Sequence, residues 1–148
     1  FLVHIDDKAV WSDGTPVTAD DVVYTALRLC SPVIGNPAMM YYVFEGVGDD
    51  GFVEEGADHV EGITRVDDKT VRFTTKAPMS LITFNSSYAR YLMPLPKHVI
   101  GDIDERALTS DPWFSRPDVV SGPYKVTEFD RDHYVSYEAN KDYWPELH

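Results

Sequence analysis

Trp11-Ser12-Asp13-Gly14-Thr15-Pro16-Val17-Thr18-Ala19-Asp20-Asp21-Val22-Val23-Tyr24 decides how the chain is read. Asp13 can accept from its own downstream backbone, Gly14 tolerates a positive φ, and Pro16 cannot continue a strand ladder, so Ser12–Pro16 reads as a turn. Thr18 is a good helix N-cap. Asp20 and Asp21 fall in the first turn, where carboxylates suit the helix dipole, and Asp21 holds the capping-box position three residues after Thr18. Ala19, Val22, Val23, Ala26, Leu27, Leu29 and Cys30 then form an apolar stripe, which predicts a helix over 19–30. Ser31-Pro32 ends it. Trp11 is a large aromatic placed to pack beneath this helix.

Working outward, Phe1, Val3 and Ile5 alternate with Leu2 and His4 as a short strand. Asn36-Pro37 reads as an N-cap and first helical position, with a short helix running to about Glu45. Gly46 to Gly62 is acidic and Gly-rich. Ile63–Val66 and Thr70–Thr75 form a hairpin turning at Asp67-Asp68-Lys69, with Val71, Phe73 and Thr75 on one face. A short helix is expected over 79–87 and an extended segment over Tyr88–Pro96. Helical turns are expected at Lys97–Ile100 and near 103–109. A last hairpin pairs Tyr124–Phe129 with His133–Ala139. The fold class is α+β: a mixed or antiparallel sheet holding both hairpins, with the 19–30 helix packed on it and further helices on its flanks, in a single domain over 1–148.

The chain has 148 residues, 43% of them hydrophobic, enough for a core. A net charge of −12 argues against nucleic acid and anionic membrane surfaces as partners, because both require a basic face. With 13% aromatics the sequence is too rich in buriable groups to be disordered. No apolar run is long enough to span a bilayer. The chain opens inside a strand without a cap or a Met, and is read as a segment of a longer protein.

No catalytic constellation stands out. His4, His59, His98, His133 and His148 lack metal-ligand spacing, and no metal or cofactor is expected. The lone cysteine, Cys30, lies on the apolar stripe of the first helix and reads as a small buried hydrophobe. The acidic run 49–61 lacks the alternating ligand spacing of a calcium loop and reads as solvated surface. Tyr88, Arg90 and Tyr91 form an aromatic–cation–aromatic group in the Pro-bounded segment and are binding candidates.

The Trp11–Tyr24 stretch resembles the signature of the family 5 extracellular solute-binding proteins, the oligopeptide and dipeptide receptors of ABC importers. Four further segments fall in that family's order. They are Ile63-Thr64-Arg65-Val66-Asp67-Asp68-Lys69-Thr70-Val71-Arg72-Phe73, Pro94-Leu95-Pro96-Lys97-His98, Ser121-Gly122-Pro123-Tyr124-Lys125-Val126, and Glu138-Ala139-Asn140-Lys141-Asp142-Tyr143-Trp144.

The resemblance implies part of a two-lobed periplasmic-binding-protein-like receptor: the subdomain inserted in its first lobe. It implies capture of short peptides outside the membrane for ABC-type import, with no reaction catalysed. The other ligands it admits are a nickel complex, haem or a sugar, and a sensing or chaperone-like receptor is the other role. Implied partners are a peptide, held together with other domains, and importer permease subunits. The receptor would be monomeric and extracellular or periplasmic, lipid-anchored or soluble. Relatives bring a Tyr and a His near the peptide. The first position aligns with Ala38, and Tyr88 is the nearest match to the second, so Ala38 and Tyr88–Tyr91 are the cleft candidates. Trp11, Asp13, Gly14, Thr18, Asp21, Gly122, Pro123 and Tyr124 are read as determinants of fold rather than of binding.

Overall fold

Thr18 ends an extended approach, and helix α1 runs Ala19–Leu29, as the cap and the stripe dictate. The capping box forms: the Thr18 backbone N–H donates to Asp21 Oδ2 at 2.9 Å. Arg28 sits in the last turn, where a cation suits the dipole. These features belong to a computed structural model that describes residues 1–35, 40–130 and 132–145. Ala38 and the Asn36-Pro37 start of the expected second helix lie outside the described residues.

Three short strands form one antiparallel sheet in the order β1 (Leu2–His4), β3 (Thr70–Phe73), β2 (Ile63–Arg65). Val3 pairs with Val71, and Ile63 with Phe73. The alternation in β3 sends Val71 and Phe73 to the buried face. There they meet Val22 and Ala26 of α1, together with Phe44, Val60 and Phe84. Aromatic rings tie this core together: Phe1 stacks on Phe84 at 4.2 Å, and Phe73 meets Phe84 edge-on at 5.3 Å.

The second helix expected to run to Glu45 is a 3-10 turn, Met40–Val43, closed by a β-bridge from Phe44 to Thr75. The acidic stretch after it is a loop whose Val47, Val53 and Val60 reach the core. It returns through Gly62, wedged between two chains. Gly62 N–H donates to Glu45 O, while Gly62 O accepts from Thr74 N–H, both at 2.8 Å. A Cβ at Gly62 would stand 2.6 Å from Glu45 N and 2.7 Å from Thr74 O.

The other side of α1 carries a second layer. Helix α2 (Leu81–Ser87) belongs to the main core, where it buries Phe84, and leaves Leu81 and Ile82 exposed. The one-turn helices α3 (Lys97–Ile100), α4 (Glu105–Leu108) and α5 (Pro112–Ser115) follow. Tyr24, Ile100 and Leu108 form their core with Trp113 packed against it, and Tyr24 Oη donates to Ile100 O at 3.1 Å. An Arg28–Glu105 ion pair of 2.9 Å joins α1 to α4. Cys30 is fully buried, and burial pushes its thiol up to about 12.

The sequence reading placed both hairpins in one sheet, and that is corrected here. Strands β4 (Tyr124–Asp130) and β5 (Tyr134–Ala139) pair only with each other as a separate two-stranded ribbon. The expected extended run over Tyr88–Pro96 is also corrected: Ala89–Tyr91 is a 3-10 turn. Pro94 and Pro96 do prevent ladder pairing, but only after the chain has folded back on α2.

Two glycines separate backbone strain from collision. Gly14 has a φ of +88° with open space where a Cβ would stand. Gly14→Val should therefore cost only conformational strain, about 1–2 kcal/mol. Gly62→Ala forces a Cβ into two backbones and should cost about 2–3 kcal/mol. Urea midpoints of the two variants test this, and equal losses would contradict the wedge at Gly62.

Candidate functional site

Two segments quoted for the resemblance, Trp11–Tyr24 and Pro94–His98, close on one carboxylate. Asp21 is 4% exposed. Its Oδ2 accepts from Thr18 N–H at 2.9 Å, from Thr18 Oγ1 at 3.3 Å and from Trp11 Nε1 at 3.3 Å. Its Oδ1 accepts from Lys97 N–H at 2.9 Å. One helical turn on, Thr25 Oγ1 accepts from Leu95 N–H and donates to Asp21 O, both at 2.7 Å. Pro94 and Pro96 have no N–H to offer. The alternation Pro94-Leu95-Pro96-Lys97 therefore presents two donors on one side, and α1 takes both.

His98 follows at once, and its Nε2 lies 2.8 Å from Asp13 Oδ2 in the Trp11–Pro16 turn. Its ring is tilted against Trp11, centroids 6.1 Å apart. Asp13 also accepts from Thr15 N–H at 2.9 Å. Burial opposes ionisation, but the Thr15 N–H and His98 outweigh it and hold the Asp13 carboxyl below its ordinary value.

The remaining segments attach to the same turn. Ser12 N–H donates to Val120 O, and Lys125 Nζ donates to Ser12 O at 3.1 Å. Asn140 Nδ2 donates to Gly122 O at 2.9 Å, closing the base of the β4–β5 ribbon. Lys69 Nζ lies on three carbonyls, those of Asp6, Ala9 and Val17. Trp11 is buried with Ala9 and Val17, and Trp144 and Val119 pack on them. The hydrogen bonds described for this clasp run between parts of the same chain. Gly122 and Tyr124 fit the clasp less closely: a Cβ at Gly122 would meet nothing, and Tyr124 is 64% exposed. Lys69, Lys97, His98 and Asn140 were missing from the fold determinants named from sequence, although each stood inside a quoted segment.

The cleft candidates separate. Tyr88 turns inward, packs on the main core and meets Phe44 edge-on at 5.6 Å. Burial, and then the neighbouring Tyr42, push its phenol up. Arg90 and Tyr91 stay exposed, with the guanidinium 4.9 Å from the Tyr91 ring centre as a cation–π pair. Tyr88 thus anchors the turn that displays Arg90 and Tyr91. A cleft of about 490 Å³, whose lining does not include Tyr88, Arg90 or Tyr91, opens among Tyr42, Val43, Lys76, Met79 and Thr83. Its residues come from three separate loops and a helix start, so no single run in the sequence signalled it.

The comparisons with known proteins place this arrangement in a family. The model for bacterial extracellular solute-binding proteins, family 5 Middle, matches residues 1–148, and the chain belongs to that family. The dipeptide-binding protein DppE of Bacillus subtilis is 30% identical over 148 residues, covering 97% of this chain and 25% of DppE. The periplasmic oligopeptide-binding protein OppA of Salmonella typhimurium is 27% identical, with 97% and 26% covered. The crystal structure of Haemophilus influenzae OppA in complex with RPPGFSPFR superposes with a TM-score of 0.75 at 26% identity, covering 97% of this chain and 27% of that one. The chain spans about a quarter of the length of the curated relatives it matches.

Tyr88→Ala should lower stability by about 2–4 kcal/mol, because it empties an aromatic site against Phe44. Arg90→Ala and Tyr91→Ala should each stay within about 0.5 kcal/mol. Chemical denaturation checks the contrast, which disappears if Tyr88 is a surface residue.

A second expectation concerns acid. Asp13 has a lowered folded pKa, so its contribution is complete above the ordinary carboxylate value, near pH 4, and is lost as pH falls through the folded value. Asp58 and Asp67 are lowered too and remain in any Asp13 variant. Asp13→Asn should therefore flatten the acid limb of the stability curve without abolishing it. Superimposable limbs below pH 4 for the two proteins would refute the role given to Asp13.

Proposed function

We propose that this chain is one part of a receptor that captures short peptides outside the membrane and passes them to an ABC importer. The observation that carries the reading is the whole-length family match, backed by the superposition on an oligopeptide-binding protein crystallised with a nonapeptide. DppE and OppA are named for dipeptide and oligopeptide binding, which favours a peptide over a nickel complex, haem or a sugar. The chain's role is to bind and not to catalyse. Delivery to permease subunits, a monomeric state and a periplasmic or extracellular location, lipid-anchored or soluble, follow from the same reading. Among the described residues no helix is long and apolar enough to cross a membrane.

Within such a receptor residues 1–148 supply part of one wall. The Arg90–Tyr91 pair is the peptide-facing candidate on described residues, and Ala38 is a separate cleft candidate of the sequence reading. A guanidinium on an exposed aromatic ring can meet a peptide carboxylate or carbonyl while the ring covers an apolar side chain. Tyr88 supports that pair from behind. The fold's structural segments point elsewhere, so affinity depends on enclosure by further domains that exclude water on the peptide's other side.

Calorimetric titration with a mixed di- to pentapeptide library separates the possibilities. The complete receptor should bind, and within it Arg90→Ala or Tyr91→Ala should weaken binding by up to about tenfold. The 148-residue chain alone should give no saturable heat, because the cost of association exceeds what an exposed pair can return. Micromolar binding by the isolated chain would overturn the division of labour, and a complete protein that ignores peptides would overturn the ligand class.

A further inference from the structure

The turn that displays Arg90 and Tyr91 spans a hollow. It is pinned at both ends. Before it, Tyr88 packs on Phe44, and after it Leu95 N–H donates to Thr25 Oγ1 of α1. Between these anchors the chain runs over an apolar space of about 170 Å³. Val22 of α1 with Val71 and Phe73 of β3 form its inner wall, and all three are buried. Ala89, Leu92 and Pro94 form the outer wall, and Val3 closes one side from the edge strand β1. Arg90 and Tyr91 are outside the lining. The turn thus has an inner face on the hollow and an outer face that carries the cation–aromatic pair. The 490 Å³ cleft shares no lining residue with this space.

The lining dictates what can enter. Packed interiors leave few voids larger than a water molecule. Water needs two to four polar partners, whereas an apolar cavity of about 150 Å³ stays dry and admits benzene or xenon. Among the described residues lining the hollow, His4 alone has a polar side chain. Both of its ring nitrogens are engaged, Nδ1 at 3.4 Å from Thr70 Oγ1 and Nε2 at 3.3 Å from Asp7 Oδ1. A charged guest would lose its hydration with no partner to replace it. The hollow therefore selects an uncharged molecule about the size of one aromatic ring.

We propose that this hollow is a ligand site for a small uncharged apolar molecule, and that its occupancy fixes the turn above it. The link to peptide capture rests on the reading of Arg90 and Tyr91 as peptide-facing. Empty, the hollow leaves Ala89 and Leu92 without contacts on one side, and the turn is free to shift inward. Filled, it holds the turn in one place, and Arg90 and Tyr91 with it. Part of the ordering cost of peptide binding is then already met, so the guest tightens peptide binding. A side chain of the bound peptide is a poorer occupant, because the hollow lies behind the turn from the pair that would meet the peptide.

The test uses the complete receptor with toluene as the probe and benzoate, of similar size but charged, as the control. Toluene should bind saturably, with the largest NMR shifts at the methyl groups of Val22, Val71 and Leu92, and benzoate should not bind. Ala89→Leu fills the hollow and should abolish toluene binding. The milder Ala89→Val should weaken it several-fold, which keeps the test open if the larger side chain disturbs folding. With toluene bound, hydrogen exchange at residues 89–93 should slow several-fold, and peptide affinity should rise about fivefold. Absence of saturable toluene binding, equal binding of benzoate, or binding that survives both substitutions overturns the site. Unchanged exchange at the turn overturns its control by the guest, and slowed exchange with unchanged peptide affinity overturns the link to capture. Toluene binding and slowed exchange in a receptor that ignores peptides uphold the site and overturn the peptide reading instead.

Discussion

The Asp21 carboxylate sits almost wholly out of water and takes hydrogen bonds from Trp11, Thr18 and Lys97. A buried carboxylate is tolerable only when donors replace its hydration, and here the donors come from three chain segments. The converse holds as well: removing the carboxylate leaves buried N–H groups unpaired, at about 1–3 kcal/mol for each. Helix α1, the Trp11 turn and the Pro94–His98 segment can each take their positions only if the other two do. The main core fixes where α1 lies on the sheet, and Asp21 fixes how everything around its N-terminus is arranged.

Much of this was legible in the sequence because it is local. The Thr18 cap, the apolar stripe of α1, the Asp13-Gly14 turn and the hairpin at Asp67-Asp68-Lys69 are set by neighbours a few residues apart, and all formed where expected. What could not be read was long-range. Nothing local says that His98 will meet Asp13, or that Lys69 will gather carbonyls from Asp6, Ala9 and Val17. The ribbon at 124–139 was visible as a hairpin, but its separation from the first sheet was not, since alternation reveals a buried face without naming what buries it. Tyr88 was misjudged for a related reason. Flanking prolines suggested an extended run, whereas Tyr88 packs on the aromatic core and Ala89–Tyr91 closes as a 3-10 turn.

The segments quoted for the family are largely engaged with the rest of the chain. Asp21, Asp13, Lys69, Lys125 and Asn140 spend their hydrogen bonds inside the chain, and Trp11, Val22, Val71 and Phe73 are buried. The exposed residues with chemistry to spare, Arg90 and Tyr91, stand outside every quoted segment. A scaffold of this kind can keep its clasp and still vary its specificity, because the residues that hold it together and those that face outward do not overlap.

The clasp has a kinetic side. Apart from the local Asp13–Thr15 bond, Ser12 and Asp13 meet His98, Val120 and Lys125, which stand 85 to 113 residues downstream. A ribosome releasing this chain from its N-terminus has to expose Trp11 long before anything can cover it. Contacts of such sequence separation slow the search for the native state and leave apolar surface open meanwhile. The Trp11 turn therefore stays unlocked until residues 98–125 have been made.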